Sequence, residues 1–443
     1  MDKARETAVN VLNEVHSSGA YANVALVQAF RRQSFNDMDR RFATELVYGT
    51  VKAGATLDWI MKQYIKIPFR KIAPLVREIL RIGLYQIFFL DKIPVSAAVN
   101  EAVELTKKYG NPGAVKFVNA VLRTAVREPE KANFPTGKGK LTQNLALTKQ
   151  HPEWLIKRWL KEFGPEETTA LCDFDNNPAV LSLRTNTLKT TREELIAALQ
   201  ADGAEAVSSE WSPDGVICRQ HTALDKLSAL QNGFCQVQDE SSMQVAAVVD
   251  AQPGEFIIDT CSAPGGKTTH LAALMKNTGR IVALDIYEAK LQRIEENAGR
   301  LGISIIETQL LDAREVGTEY ENMADRVLVD APCSGLGVLR RKPDARWRKK
   351  AAEIDKLPEL QLSILTSAGH AVKSGGVLVY STCTINEAEN QGVVEAFLTS
   401  NPQFKLETTG EYLPVKKRSD KMVQFYPQRD NIDGFFIARM RKE

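Results

Sequence analysis

Apolar residues recur at helical spacing through the first 127 positions, in Ala4–Val15, Asn23–Arg32, Asp39–Ala53, Thr56–Tyr64, Pro74–Phe89, Pro94–Tyr109 and Ala114–Arg127. That period predicts an all-helical front over 1–127. Pro68, Pro94 and Pro112 fall near the breaks, as helix-ending residues should. Residues 128–140, EPEKANFPTGKGK, are polar and rich in Pro, Gly and Lys, and read as a linker. Over 141–250 the pattern becomes that of a small α/β unit. Helices are expected at Glu153–Phe163, Pro165–Asp173 and Thr191–Ala201, and strands at Val180–Arg184, Val216–Arg219 and Phe234–Gln238. From 251 to 443, apolar strands alternate with helical segments. The strands are Phe256–Thr260, Arg280–Asp285, Ser304–Thr308, Arg326–Asp330 and Gly376–Ser381, with a last one at Gly434–Met440. The helices are Lys267–Met275, Ala289–Leu301, Pro358–Val372 and Glu387–Thr399. Such alternation predicts a parallel, doubly wound sheet, with ligands beyond the strand C-termini where strand order reverses.

Composition changes this picture little. The 443 residues are 44% hydrophobic and 25% charged, as in a globular chain of several domains. No run is apolar enough to span a membrane and the N-terminus lacks a signal-peptide core, so a cytoplasmic protein is expected. The six cysteines form no disulfide framework and no CxxC pair, and the five histidines form no cluster, so no metal site is expected. Charge is uneven. Residues 1–131 hold 20 Lys and Arg against 13 Asp and Glu, and the remainder holds 37 against 42. A basic front points to a polyanion partner, although a solvated helix surface gives the same count.

The chemistry concentrates at the ends of the expected strands. Asp259–Thr268 reads DTCSAPGGKT, a strand end, a Gly-containing loop and a helix start. Gly265 and Gly266 let the backbone approach a ligand, and the helix start offers free N–H groups. A phosphate-binding P-loop ending at Thr268 would need glycine at position 261, where Cys261 stands. The loop therefore suits a neutral or zwitterionic nucleoside. Asp285 ends the second strand, where an acid accepts from ribose hydroxyls. Asp312 follows the third strand and is placed to accept from an adenine amino group.

Cys333, in DAPCSG, and Cys383, in YSTCT, each follow a buried strand. With strands four and five adjacent, both thiols meet on one rim beside the Gly loop. A lone cysteine is usually a small core residue, but a pair beside a ligand loop is suited to nucleophilic chemistry. Thiolate addition at carbon 6 of cytosine makes carbon 5 nucleophilic enough to take a methyl group. Asp330, three residues before Cys333, is placed to grip the base's Watson–Crick edge. A target base must be unstacked for this, which favours an RNA substrate with a basic surface to hold it. The basic stretch Gly337–Lys350, with Trp347, is expected to supply phosphate contacts and stacking. The chemistry leaves open which cysteine attacks.

DTCSAPGGKT, DAPCSGLGVLRRKPDARW and YSTCTINEAEN resemble the RNA cytosine-5 methyltransferases that use S-adenosylmethionine. RTNTLK at Arg184–Lys189 and QDESS at Gln238–Ser242 extend the resemblance over 141–443. Residues 1–127 resemble the NusB helical RNA-binding fold. The resemblance implies a NusB-like domain over 1–127, an RNA-recognition-like α/β subdomain over 141–250 and a class I, Rossmann-like methyltransferase domain over 251–443. It implies Cys383 as nucleophile and Cys333 as the residue assisting release. It implies cofactor contacts at Cys261, Ser262, Ala263, Pro264, Gly265, Gly266, Lys267, Asp285, Asp312 and Asp330. Ser262 stands where the family commonly has alanine. The domain arrangement further implies 16S rRNA, free or in a partly assembled small subunit, as substrate, and a monomer is expected. The rival readings are a P-loop ATPase and a non-catalytic RNA-binding or antitermination factor.

Overall fold

The computed structural model describes residues 2–220 and 224–443. The chain forms two compact units, one of residues 1–176 with 342–349, the other of 177–341 with 350–443. Among the described residues no helix is long and apolar enough to cross a membrane.

The first unit is helical. Its helices include Lys3–Ser17, Ala22–Arg32, Asp37–Tyr64, Pro74–Phe89, Val95–Tyr109 and Pro112–Arg127. Several start where a side chain takes up an orphan N–H. Asp2 accepts from Arg5 N at 2.9 Å, Asn36 from Asp39 N at 2.7 Å and Asn111 from Ala114 N at 2.9 Å. Leu12, Leu46, Leu57, Leu80 and Leu122 are fully buried between them. Each such leucine contributes roughly 2 kcal/mol. The two helices expected on either side of residue 54 are one element, Asp37–Tyr64, kinked at Gly54. Likewise Glu153–Asn176 is continuous through a kink at Gly164, ahead of Pro165. A helix at Leu141–Thr148 follows the linker.

The second unit carries two sheets. The smaller is antiparallel and has the order β2-β3-β1-β4, from β1 (Leu181–Thr185), β2 (Glu205–Ser208), β3 (Gly215–Gln220) and β4 (Cys235–Val237). The larger comprises β5 (Phe256–Asp259), β6 (Arg280–Asp285), β7 (Ile306–Leu310), β8 (Ala324–Asp330), β9 (Val372–Thr382), β10 (Phe404–Leu406), β11 (Met422–Phe425) and β12 (Phe435–Lys442). Its order is β10-β12-β9-β8-β5-β6-β7, with β11 against β12. Strands β5 to β9 are mutually parallel, while β10, β11 and β12 pair antiparallel. Helices cover both faces of the parallel strands, so the strands are apolar on both sides. Val327, Leu328 and Val329 are all fully buried. Strand order reverses between β5 and β8, which opens a crevice at their C-terminal ends.

Candidate active site

Every site residue named from the sequence lies at or just past the C-terminal end of β5, β6, β7, β8 or β9. Because those strands are parallel, these residues share one rim. Gly265 closes the loop after β5 with φ +96°, a left-handed conformation that favours glycine. Its N–H donates to Ser262 O at 2.8 Å, and Ser262 Oγ donates to Asp259 O at 2.7 Å. The Ala263–Pro264 peptide is cis, and Asn297 Nδ2 holds Pro264 O at 2.9 Å. The helix Gly266–Leu274 then begins with its N–H groups facing the rim.

Four of the expected residues meet in two pairs. Lys267 Nζ donates to Asp330 Oδ2 at 2.7 Å, and Ser381 Oγ to Asp330 Oδ1 at 2.9 Å. Burial opposes the lysine's charge, but the charge and hydrogen bond of Asp330 outweigh it and hold the ammonium above its usual range. Cys333 Sγ and Cys383 Sγ lie 3.3 Å apart. The hydrogen bond with Cys383, then burial, pushes the Cys333 thiol well above the ordinary cysteine range. Cys261 is half-buried, and burial pushes its thiol up to about 12, which disfavours a thiolate there.

The outer acids are engaged locally. Asp285 accepts from Tyr287 N at 3.1 Å and from Lys290 Nζ at 3.3 Å. Arg314 forks onto Asp312, and that hydrogen bond holds the carboxyl below its usual range. Three apolar side chains beside them were not singled out from the sequence. Ile286, Tyr287 and Leu310 are all more than half exposed, and Leu310 sits opposite Asp285 in the ladder. An exposed apolar wall next to an acid at a Gly-loop rim fits a purine nucleoside.

Arg184 has a role that its place in RTNTLK did not reveal. It is 1% exposed and donates to Gly266 O and Gln238 Oε1, both at 2.5 Å, and to Thr269 Oγ1 at 3.1 Å. The small sheet thus braces the start of the helix Gly266–Leu274. Ser334, Glu389 and Asn390 lie within the quoted motifs, but no role was assigned to them, since polar residues in a loop carry no periodic signal.

The expectation for Gly337–Lys350 is corrected. Its arginines are used for internal contacts and its indole is partly covered, while Lys342 and Lys350 stay exposed. Arg340 and Arg341 each donate to the buried Asp433 at 2.6 Å. Within the helical unit, Arg346 is fully buried and donates to Gln150 O, Asn176 Oδ1 and Asp175 O. Trp347 Nε1 donates to Lys52 O at 3.1 Å, and Arg348 donates to Gly19 O and Ala20 O. Basic composition misled here because buried carbonyls are good partners for guanidinium groups.

Fold and rim together define a Rossmann-like methyltransferase. The family described as "16S rRNA methyltransferase RsmB/F" matches residues 246–441. Its ferredoxin-like domain matches 151–225, and the NusB family matches 2–127. The chain is 41% identical to "Probable ribosomal RNA small subunit methyltransferase B" of Bacillus subtilis (strain 168), over 99% of this chain and 98% of that protein. The solved structure "Crystal Structure of PH0851" superposes with TM-score 0.84 at 30% identity, covering 99% of both chains. NSun6 from Pyrococcus horikoshii, solved with SFG, gives 0.59 at 26% identity, over 66% of this chain and 98% of that one. The chain belongs to the ribosomal RNA small subunit methyltransferase B family. S-adenosylmethionine is its cofactor. The ATPase and non-catalytic readings fall away.

Proposed function

We propose that this protein methylates carbon 5 of a cytosine in 16S rRNA through a covalent adduct between Cys383 and carbon 6. The observation that carries the reading is the pair of thiols 3.3 Å apart on the same rim as Lys267 and Asp330. Two adjacent thiols do not ionise together cheaply. The hydrogen bond with Cys383 and burial disfavour a thiolate at Cys333, and the charge of Lys267 favours one at Cys383. Cys383 Sγ bonds to carbon 6, and the displaced π electrons make carbon 5 a nucleophile. Cys261–Lys267 would hold S-adenosylmethionine, with Asp285 and Asp312 toward its nucleoside; bound there it would supply the electrophilic methyl group for carbon 5 and leave as S-adenosylhomocysteine. Loss of the carbon-5 proton to a base then restores the double bond as the carbon–sulfur bond breaks and the thiolate leaves. Cys333 assists this release, and Asp330 holds the base edge. The helical residues 1–127 bind RNA, the segment 128–140 links them to an RNA-recognition-like subdomain over 141–250, and residues 251–443 form the catalytic domain. The protein acts as a monomer on 16S rRNA, free or in a partly assembled subunit.

The test is transfer of labelled methyl to unmodified 16S RNA and to 30S particles, with bisulfite mapping of the product. Cys383→Ala should abolish incorporation. Cys333→Ala should accumulate a covalent protein–RNA complex. Equal loss in both variants with no trapped complex would defeat the assignment.

A further inference from the structure

The ladder between β8 and β9 ends at the pair Asp330–Ser381, so the sheet does not fix the two cysteines that follow. Two adjacent residues hold them instead. Glu389 is fully buried, and its carboxylate accepts from Ser334 N at 2.7 Å, Ser334 Oγ at 2.5 Å, Gln361 Nε2 at 3.0 Å and Asn386 Nδ2 at 2.9 Å. Among the described residues no cation forms an ion pair with it. A buried carboxylate without a cation is costly. The donor set explains the residue type, because only an acceptor-only group can satisfy four donors at once, and a glutamine would turn its own N–H groups against them. Asn390, also fully buried, brackets the other thiol. Its Oδ1 accepts from Thr382 Oγ1 at 2.5 Å, and its Nδ2 donates to Thr384 O at 3.0 Å. Ser334 Oγ and Thr384 Oγ1, 2.7 Å apart, tie the two loops together.

We propose that Glu389 and Asn390 are positioning residues that set the spacing of Cys333 and Cys383, and through it the balance between methyl transfer and release of the adduct. This rests on the two-thiol reading above. Reactive groups displaced by about 1 Å can lose about 100-fold in rate, so a small slip of the Ser334 loop should strand the adduct.

Thiol spacing can be read without any RNA. Diamide joins two close thiols by taking up their hydrogens as a hydrazine while the sulfur–sulfur bond forms. The full chain is treated with diamide as wild type, Glu389→Gln and the milder Ser334→Ala, which removes one donor. Cys333–Cys383 linkage is followed by peptide mass, and S-adenosylhomocysteine affinity and thermal midpoint are recorded alongside. Linkage should slow at least tenfold in Glu389→Gln and about threefold in Ser334→Ala, with cofactor affinity within twofold of wild type. On 16S RNA, the trapped-complex fraction should rise in both variants. Linkage at the wild-type rate in a folded Glu389→Gln protein overturns the inference. If Glu389→Gln does not fold, an unchanged rate in Ser334→Ala overturns it. Slower linkage with no trapped complex in any protein, Cys333→Ala included, supports the positioning role and sinks the covalent reading instead.

Discussion

Two buried groups flanking the cofactor loop pull the pH dependence of stability in opposite directions. Asp259 is 1% exposed, and burial pushes its carboxyl up to about 6, eased by a hydrogen bond from Thr268. In the unfolded chain it titrates near 3.9. Between those values the folded state holds more protons, so stability falls as pH rises, by about 3 kcal/mol in all. His270 is 4% exposed, and burial pushes its imidazole down to about 4. Here the unfolded state takes up the proton first, so stability is lost as pH falls from about 6.5 toward 4. The slopes oppose one another between pH 4 and 6. Asp259→Asn should unmask the histidine, making stability rise more steeply with pH than in wild type by about 1 kcal/mol per unit. Urea unfolding at pH 4.5, 5.5 and 6.5 measures this, and parallel profiles for the two proteins would refute it.

At the scale of elements, backbone contacts add to the side-chain hold on the loop after Cys333. Gly337 N donates to Cys383 O at 3.1 Å, and Gly434 N donates to Gly337 O at 2.8 Å. A Cβ at position 337 would lie 2.2 Å from Gly434 O. Gly337→Ala should cost about 1–3 kcal/mol through overpacking. It should also lower methyl transfer at least tenfold at temperatures where the protein stays folded. Melting curves beside methyl incorporation check both, and activity within twofold of wild type would count against the pinning role. The elements themselves differ in how far the sequence reveals them. Strands β5, β6 and β8 were legible because burial on both faces forces continuous apolar runs such as Val327, Leu328 and Val329. The helix Glu240–Val249 was missed, since Val245, Val248 and Val249 blur its period. Strands β2, β10 and β11 are three or four residues long and are defined only by the partner they pair with. The thiols and the Gly loop were readable from their motifs. The residues that hold them, Arg184, Ser334, Glu389 and Asn390, lie inside the quoted motifs, but their holding roles are set by the contacts of the folded chain and have no local signature.

For the whole molecule, the helical unit claims eight residues from the middle of the catalytic sequence, Lys342–Lys349. Arg346 anchors them with no exposed surface. Arg346→Ala strands the carbonyl groups of Gln150 and Asp175 and should cost about 2–5 kcal/mol. Calorimetry should show a midpoint lower by about 5 °C or more, and trypsin should cut faster at Lys349 and Lys350. An unchanged melting curve with unchanged cleavage would show the anchoring to be dispensable. The discontinuous unit also sets a rule for recombination. A crossover placed near residue 177 would join one parent's helices to the other parent's Arg346, Trp347 and Arg348, side chains cut to fit different carbonyls. Exchanging the front of two relatives therefore calls for two splices, with residues 342–349 travelling with the helices they are folded into.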